Sequence, residues 1–187
     1  MKRTLLLCSL LSLAAPALAA QAVVTPAAPL DAARARVRDA MLVLRDSLMT
    51  VNGATARLQR DYRQTSGAVL TGRAREIANA CARSVRNIGP TREVVAAAQA
   101  TNPVPVRRRE ELVRSLDSLS TRLGRCATEF GAMAAPGKSE EIRGYGVRRS
   151  EPVIRALDEY ERAAEAFFAT WGIEVLPLGA RPTPLAG

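Results

Sequence analysis

The 187-residue chain contains no histidine, and aromatic residues make up only 4% of it. The lack of histidine excludes an imidazole general base, a histidine-ligated haem iron and a histidine-containing zinc site. The sequence also contains no P-loop, no G-x-G-x-x-G motif and no G-x-S-x-G motif, which removes the common nucleotide-binding and serine-hydrolase classes. We therefore expect no enzymatic activity, no cofactor and no metal.

Lysine is scarce as well, because Lys2 and Lys138 are the only lysines in the chain. Arginine therefore carries nearly all of the positive charge, and the formal net charge is +9. Hydrophobic residues make up 48% of the sequence, which is too high for a disordered chain. The length fits one domain with a real core.

Residues 1–20 have the features of a bacterial Sec signal peptide. Lys2 and Arg3 precede a short apolar run, and Ala17-Leu18-Ala19 is a small-x-small cleavage site. The run is shorter than the roughly 20 apolar residues that a spanning helix needs, although an uncleaved anchor is the alternative. Cleavage would start the mature chain at Ala20 or Gln21 with a charge of +7. The sequence thus predicts a periplasmic or secreted protein with no transmembrane span after cleavage.

Export determines how the cysteines are interpreted. Loss of Cys8 leaves Cys81 and Cys126, and an even number of cysteines in an oxidising compartment favours a disulfide. If one helix runs through Pro90 to a turn near residues 103–104, the two cysteines are equally far from that turn. An antiparallel hairpin would then bring them to the same height. Two buried free thiols are the alternative.

Between residues 30 and 172 the apolar residues recur at steps of three and four, which predicts helices rather than strands. The third segment is the most regular, with seam residues Leu112, Leu116, Leu119, Leu123, Cys126 and Phe130. Four such segments joined by short turns predict an all-α, up-down-up-down four-helix bundle. Residues 21–29 are expected to be a flexible lead, and residues 173–187 an extended or loose proline-rich tail.

Three further boundaries follow from helix-breaking and capping residues. Pro90 should kink the second helix or restart it. The fourth helix should begin at Ser150-Glu151-Pro152, where a serine cap precedes an early-helix proline, and Gly172 should end it. Ser139-Glu140-Glu141 could cap a short helical piece before it, but Gly144 and Gly146 weaken that piece. The third and fourth helices should accordingly be shorter than the first two.

Two groups of residues are candidate sites. Arg107, Arg108 and Arg109 form a basic cluster that could bind an anion, although a solvated face balanced by nearby glutamates is the alternative. Nucleic acid is not expected as a partner, because the protein is exported and base-stacking aromatics are missing. The aromatic group Phe167, Phe168 and Trp171 could line a pocket or contact a partner, and core packing is the alternative. Phe168 lies off the main seam, so it should be the one facing outward.

These features favour an exported, non-enzymatic bundle that acts through a binding surface in the cell envelope. Its partner would be an envelope protein or an anionic surface such as lipid headgroups. The alternative is a small-molecule-binding protein or enzyme with a pocket inside the bundle. That pocket would use Arg109 as an anion-binding group and the aromatics of the fourth helix as walls. The oligomeric state is left open.

Overall fold

A computed structural model of the chain describes residues 27–63, 66–98, 103–173 and 178. Over these residues the chain forms four helices and no strand: α1 (Ala27–Asp61), α2 (Gly67–Ala97), α3 (Pro103–Met133) and α4 (Ser139–Trp171). Consecutive helices pack against one another, which confirms the predicted all-α four-helix bundle. The predicted signal peptide, residues 21–26 of the lead and most of the tail lie outside the described residues.

The core follows the seams that the sequence predicts. Each helix turns its apolar residues inward because a spacing of three and four residues places them on one side. The α3 seam is buried over its whole length, and buried residues of all four helices belong to one hydrophobic core. The largest fully buried side chains include Phe130, Phe167, Leu44, Leu48, Leu58, Leu70, Ile77 and Ile88.

The four helices are not packed equally. The neighbouring pairs α1–α2, α2–α3 and α3–α4 share extensive interfaces, whereas α1 and α4 contact each other much less. Helix α2 also contacts α4 across the centre of the bundle. As a result α1 is the least embedded helix, and a groove runs between α1 and α4.

The cysteine pairing is confirmed. Cys81 of α2 and Cys126 of α3 are bonded to each other, with their Cα atoms 6.2 Å apart, inside the usual range of about 4.4–6.8 Å. Both residues are buried on the seams of their helices. The bond fixes the antiparallel register of the α2–α3 hairpin.

Helix α2 passes through Pro90 without a restart. Proline cannot donate a hydrogen bond to the carbonyl four residues earlier, that of Arg86. Arg86 and Pro90 both lie on the exposed side of α2, so water can reach that carbonyl. The break therefore costs little, and the buried seam continues to Val95.

The predicted start of the fourth helix is wrong. Helix α4 begins at Ser139 and has 33 residues, so it is as long as the other helices, and α3 has 31. Ser150 is not a cap, because it is fully buried inside the helix and its hydroxyl donates to the carbonyl of Val147 at 2.6 Å. Ile142, Gly146 and Val147 are buried ahead of it, and this packing outweighs the weak helix propensity of the glycines.

The end of α4 matches its prediction. Gly172 has a φ of 63° and its N–H donates to the carbonyl of Phe168, which is a left-handed helix cap. Within the predicted extended or loose tail, Leu178 is only 4% exposed. Among the helices of the described residues, none has a stretch long and apolar enough to cross a membrane.

Candidate functional site

The groove between α1 and α4 has an apolar floor and a polar rim. Met41 and Leu42 of α1 face Ala164 and Phe168 of α4 across it. The rim is polar, with Arg38 and Arg45 on the α1 side and Glu161 on the α4 side. We call this hollow the α1–α4 groove.

Leu178 is part of the lining of the α1–α4 groove and forms hydrogen bonds with both helices. Its N–H donates to Glu161 Oε1 of α4 at 2.7 Å, and its carbonyl accepts from Asn52 Nδ2 of α1 at 3.5 Å. The groove thus contacts an aliphatic side chain together with both main-chain polar groups of the same residue. Sequence reasoning missed this residue, because an isolated leucine among prolines carries no periodic signal.

Tyr160 lies on the floor of the groove, where its phenol is buried. Burial, and to a lesser degree the charge of Glu161, raises the pKa of the Tyr160 phenol well above its usual value. Its hydroxyl lies 3.9 Å from Met41 Sδ. The phenol therefore stays protonated at neutral pH and supplies packing and a weak hydrogen bond rather than acid–base chemistry.

The predicted anion-binding arginines each bind a group of the protein itself. Arg107 and Arg108 both donate to Glu111, at 3.0 and 2.7 Å. The hydrogen bond from Arg108, followed by that from Arg107, lowers the pKa of the Glu111 carboxyl although desolvation opposes them. Arg109 is half-buried and donates to the carbonyl of Ala98 at 2.8 Å, so it caps the C-terminal end of α2. It lies at the α2–α3 turn and does not line the α1–α4 groove.

The three aromatic residues of α4 pack inside the bundle. The ring centroid of Phe167 lies 5.5 Å from that of Phe168 and 5.1 Å from that of Trp171. The expectation that Phe168 faces outward is wrong, because its exposure is only 3%. It instead forms part of the floor of the α1–α4 groove.

A second candidate surface lies on the α2–α3 hairpin. Each helix contains a stretch without acidic residues, positions 77–92 in α2 and 118–128 in α3. The Cys81–Cys126 bond sets these two stretches side by side. Four exposed arginines project from them. We call these residues the arginine face: Arg83, Arg86, Arg122 and Arg125.

Within the described part of the chain, the arginine face contains no arginine with an ion-pair partner. Ion pairs instead mark its two ends. At one end Arg92 donates to Asp117 at 2.5 and 3.2 Å, which raises the pKa of Arg92. At the other end Glu129 pairs with Arg149 of α4 at 3.4 Å. The acid-free stretches are visible in the sequence, but only the hairpin register shows that they coincide.

A metal role has no support in the described residues, which contain no group of three or more potential ligands. Comparisons with protein-family models, curated proteins and solved structures find no match for the chain.

Proposed function

We propose that this chain is an exported, non-enzymatic bundle that binds anionic lipid headgroups of the cell envelope through the arginine face. The observation that carries the proposal is a set of four exposed arginines in two adjoining acid-free stretches, none of which has a carboxylate partner among the described residues. An arginine already paired with a carboxylate must give up that partner to bind a phosphate. The four arginines of the arginine face break no ion pair with the described residues when they bind a phosphate.

The chemistry of arginine suits a phosphate-bearing surface. Its planar guanidinium donates two parallel hydrogen bonds to a phosphate. A cationic side chain near an anionic membrane contributes about 1 kcal/mol, and the attraction fades over a Debye length of about 8 Å at physiological salt. Four exposed arginines on one disulfide-linked hairpin would therefore support salt-dependent, reversible binding.

Two other features agree with an exported binding protein. The features of residues 1–20 are those of a signal peptide, and a cysteine pair is suited to an oxidising compartment. Burial keeps the Tyr160 phenol protonated, and two arginines hold the Glu111 carboxylate.

Co-sedimentation of the mature protein with vesicles tests the proposal. Vesicles containing phosphatidylglycerol should retain the protein at low salt and release it as salt rises, whereas pure phosphatidylcholine vesicles should not retain it. Changing the arginine face to glutamine at all four positions should weaken binding by at least about tenfold. Equal binding to both lipids would contradict the proposal.

A matched control variant distinguishes the effect of the arginine face on lipid binding from the effect of net charge. The control chain loses the same number of charges on the other half of the bundle, through glutamine at four of its exposed arginines: Arg36, Arg148, Arg155 and Arg162. It should bind nearly as well as the wild type. If both quadruple variants lose the same affinity, net charge alone drives binding and the arginine face has no special role.

A further inference from the structure

Two contacts fix the register of the α2–α3 hairpin on either side of the arginine face. The disulfide lies beyond one end of it, and the ion pair between Arg92 and Asp117 lies beyond the other. Counting along antiparallel helices from either contact gives the same opposed positions to within one residue. The four arginines therefore form two opposed pairs at two neighbouring heights: Arg83 with Arg125, and Arg86 with Arg122.

Each opposed pair sets two positive charges on adjacent helices, and none of these arginines has a carboxylate partner among the described residues. Where the same hairpin sets an arginine opposite a carboxylate, at Arg92 and Asp117, the two side chains form an ion pair. Like charges at such positions repel, so an anion between the two arginines of a pair would be stabilising. A phosphate suits this place, because each guanidinium can donate two parallel hydrogen bonds to it.

The structure leaves room for such an anion between the two helices. Gly124 is seven positions after Asp117, so it lies on the same side of α3, the side that faces α2. A Cβ on Gly124 would meet nothing within 4 Å. Open space therefore adjoins the opposed pairs on the α2 side of α3.

We propose that the arginine face is a two-phosphate site, in which each opposed pair binds one phosphate of the same lipid headgroup. This inference rests on the proposed lipid binding and names its ligand, a membrane lipid whose headgroup carries two phosphates joined by a short linker. The two pairs are three residues apart along each helix, which is a rise of about 4.5 Å, and a linker such as glycerol can span it. The single charge of one phosphodiester would leave one of the two pairs without an anion.

The test compares two anionic lipids in phosphatidylcholine vesicles at equal anionic phosphate. Phosphatidylglycerol carries one phosphate, and diphosphatidylglycerol carries two phosphates joined by glycerol. In co-sedimentation, the mature protein should bind the vesicles with diphosphatidylglycerol at least about fivefold more tightly, because the second phosphate binds as part of a molecule that is already held.

Two double variants with equal charge separate the opposed pairs from the number of arginines. Arg86→Gln/Arg122→Gln removes one opposed pair and leaves the other intact, so the preference for diphosphatidylglycerol should disappear while binding to phosphatidylglycerol persists. Arg83→Gln/Arg86→Gln removes the same number of charges from α2 alone and leaves no opposed pair. It should bind phosphatidylglycerol at least about threefold more weakly than the first variant.

A further pair of variants changes no charge. Gly124→Leu should fill the space beside the opposed pairs and weaken binding to diphosphatidylglycerol by at least about threefold. Gly131→Leu is its control, because Gly131 lies seven positions later on α3 and a Cβ there would also meet nothing within 4 Å. It should bind like the wild type. Circular dichroism should show that both variants keep their helices.

The outcomes separate this inference from the proposed function. No binding of the wild type to either anionic vesicle would overturn both. Equal affinity for the two lipids, or equal losses in the two double variants, would overturn only the two-phosphate site. Release from the vesicles by inorganic pyrophosphate at about 10 μM would make the ligand a soluble diphosphate instead. A preference for diphosphatidylglycerol that Arg86→Gln/Arg122→Gln removes and Gly131→Leu retains would support the site.

Discussion

Ser84 and Ser150 are both fully buried serines within helices, but they differ in hydrogen bonding. The Ser150 hydroxyl donates to the carbonyl of Val147, whereas that of Ser84 has no partner among the described residues. A buried hydroxyl without a partner keeps its desolvation cost. We expect Ser84→Ala to raise the free energy of unfolding by about 0.5–2 kcal/mol, measured by urea unfolding.

Ser150→Ala is the matched control for that change. It makes the same chemical substitution on α4 but removes a hydrogen bond, so the gain in helix propensity should be cancelled. The Ser84 variant should therefore be the more stable of the two. The reverse order would mean that the Ser84 hydroxyl has a partner after all.

Glu76 joins α2 to α1 and gives a pH-dependent contribution to stability. It accepts hydrogen bonds from Arg57 of α1 and from Arg73. Burial is the largest single cause and raises the pKa of the Glu76 carboxyl, but the hydrogen bonds and charges of the two arginines together lower it below the usual value. A carboxyl whose pKa is lower in the folded than in the unfolded state stabilises the protein above its unfolded pKa.

Glu76→Gln should therefore cost about 0.5–1 kcal/mol at pH 7, a modest amount because the site is partly solvated. The difference from the wild type should persist down to about pH 4.5, the region of the unfolded pKa. It should disappear as the pH falls through the lower folded pKa. Urea unfolding of both proteins between pH 3 and pH 7 checks this, and a difference that grows on acidification would contradict the assigned direction.

The disulfide acts at the level of secondary structure, because it joins the two helices of one hairpin. In the mature protein without reductant, mass spectrometry after thiol alkylation should find no free thiol at Cys81 or Cys126. A closed loop of about 46 residues corresponds to roughly 4 kcal/mol in the chain-entropy model. Reduction should thus lower the stability of the wild type and leave Cys81→Ala/Cys126→Ala unchanged. Two alkylated cysteines would contradict the pairing.

Gly144 and Gly146 stand two residues apart in α4 but on different sides. A Cβ on Gly144 would meet nothing within 4 Å, whereas one on Gly146 would lie 3.1 Å from Ile142 Cγ2 and 3.3 Å from Leu58 Cδ2. Gly144→Ala should raise the free energy of unfolding by about 0.5–1 kcal/mol. Gly146→Leu should lower it by about 1–3 kcal/mol through overpacking. Thermal unfolding measures both, and equal effects would disprove the close approach of α1 to α4.

Helix existence could be predicted from the sequence, but helix starts could not be predicted as well. The seams predict all four helices, and Gly172 marks an end correctly because a left-handed cap is a local property. The start of α4 was misplaced at Ser150 because serine followed by proline is locally a good cap. The burial of Ile142 and Val147 against other helices decides the actual start. Ser139-Glu140-Glu141 offers a local helix-start signal there, but Gly144 and Gly146 weaken it, and the tertiary contact that outweighs them leaves no local signal.

At the scale of the whole molecule, the two candidate surfaces also differ in how much of each can be predicted from local sequence and how much depends on tertiary packing. The acid-free stretches around Arg83 and Arg125 are local and visible in the sequence, but only the register of the α2–α3 hairpin brings them side by side. The seating of Leu178 was not predictable, because it depends on a space that exists only once α1 and α4 are placed. Arg109 was predicted as a ligand-binding group because its seam position was visible and its acceptor, the carbonyl of Ala98, was not.

Unequal packing of the four helices predicts unequal local stability. Helix α1 has one extensive interface, with α2, and a small one with α4, whereas α2 and α3 have larger interfaces and share a disulfide. Regions with fewer buried contacts open at lower free energy. In native-state hydrogen exchange, amides in the middle of α1 should therefore exchange at least roughly tenfold faster than those beside Cys81 and Cys126. Leu178→Ala should widen the gap by weakening the α1–α4 side alone, and uniform protection of all four helices would show that the bundle opens only as a whole.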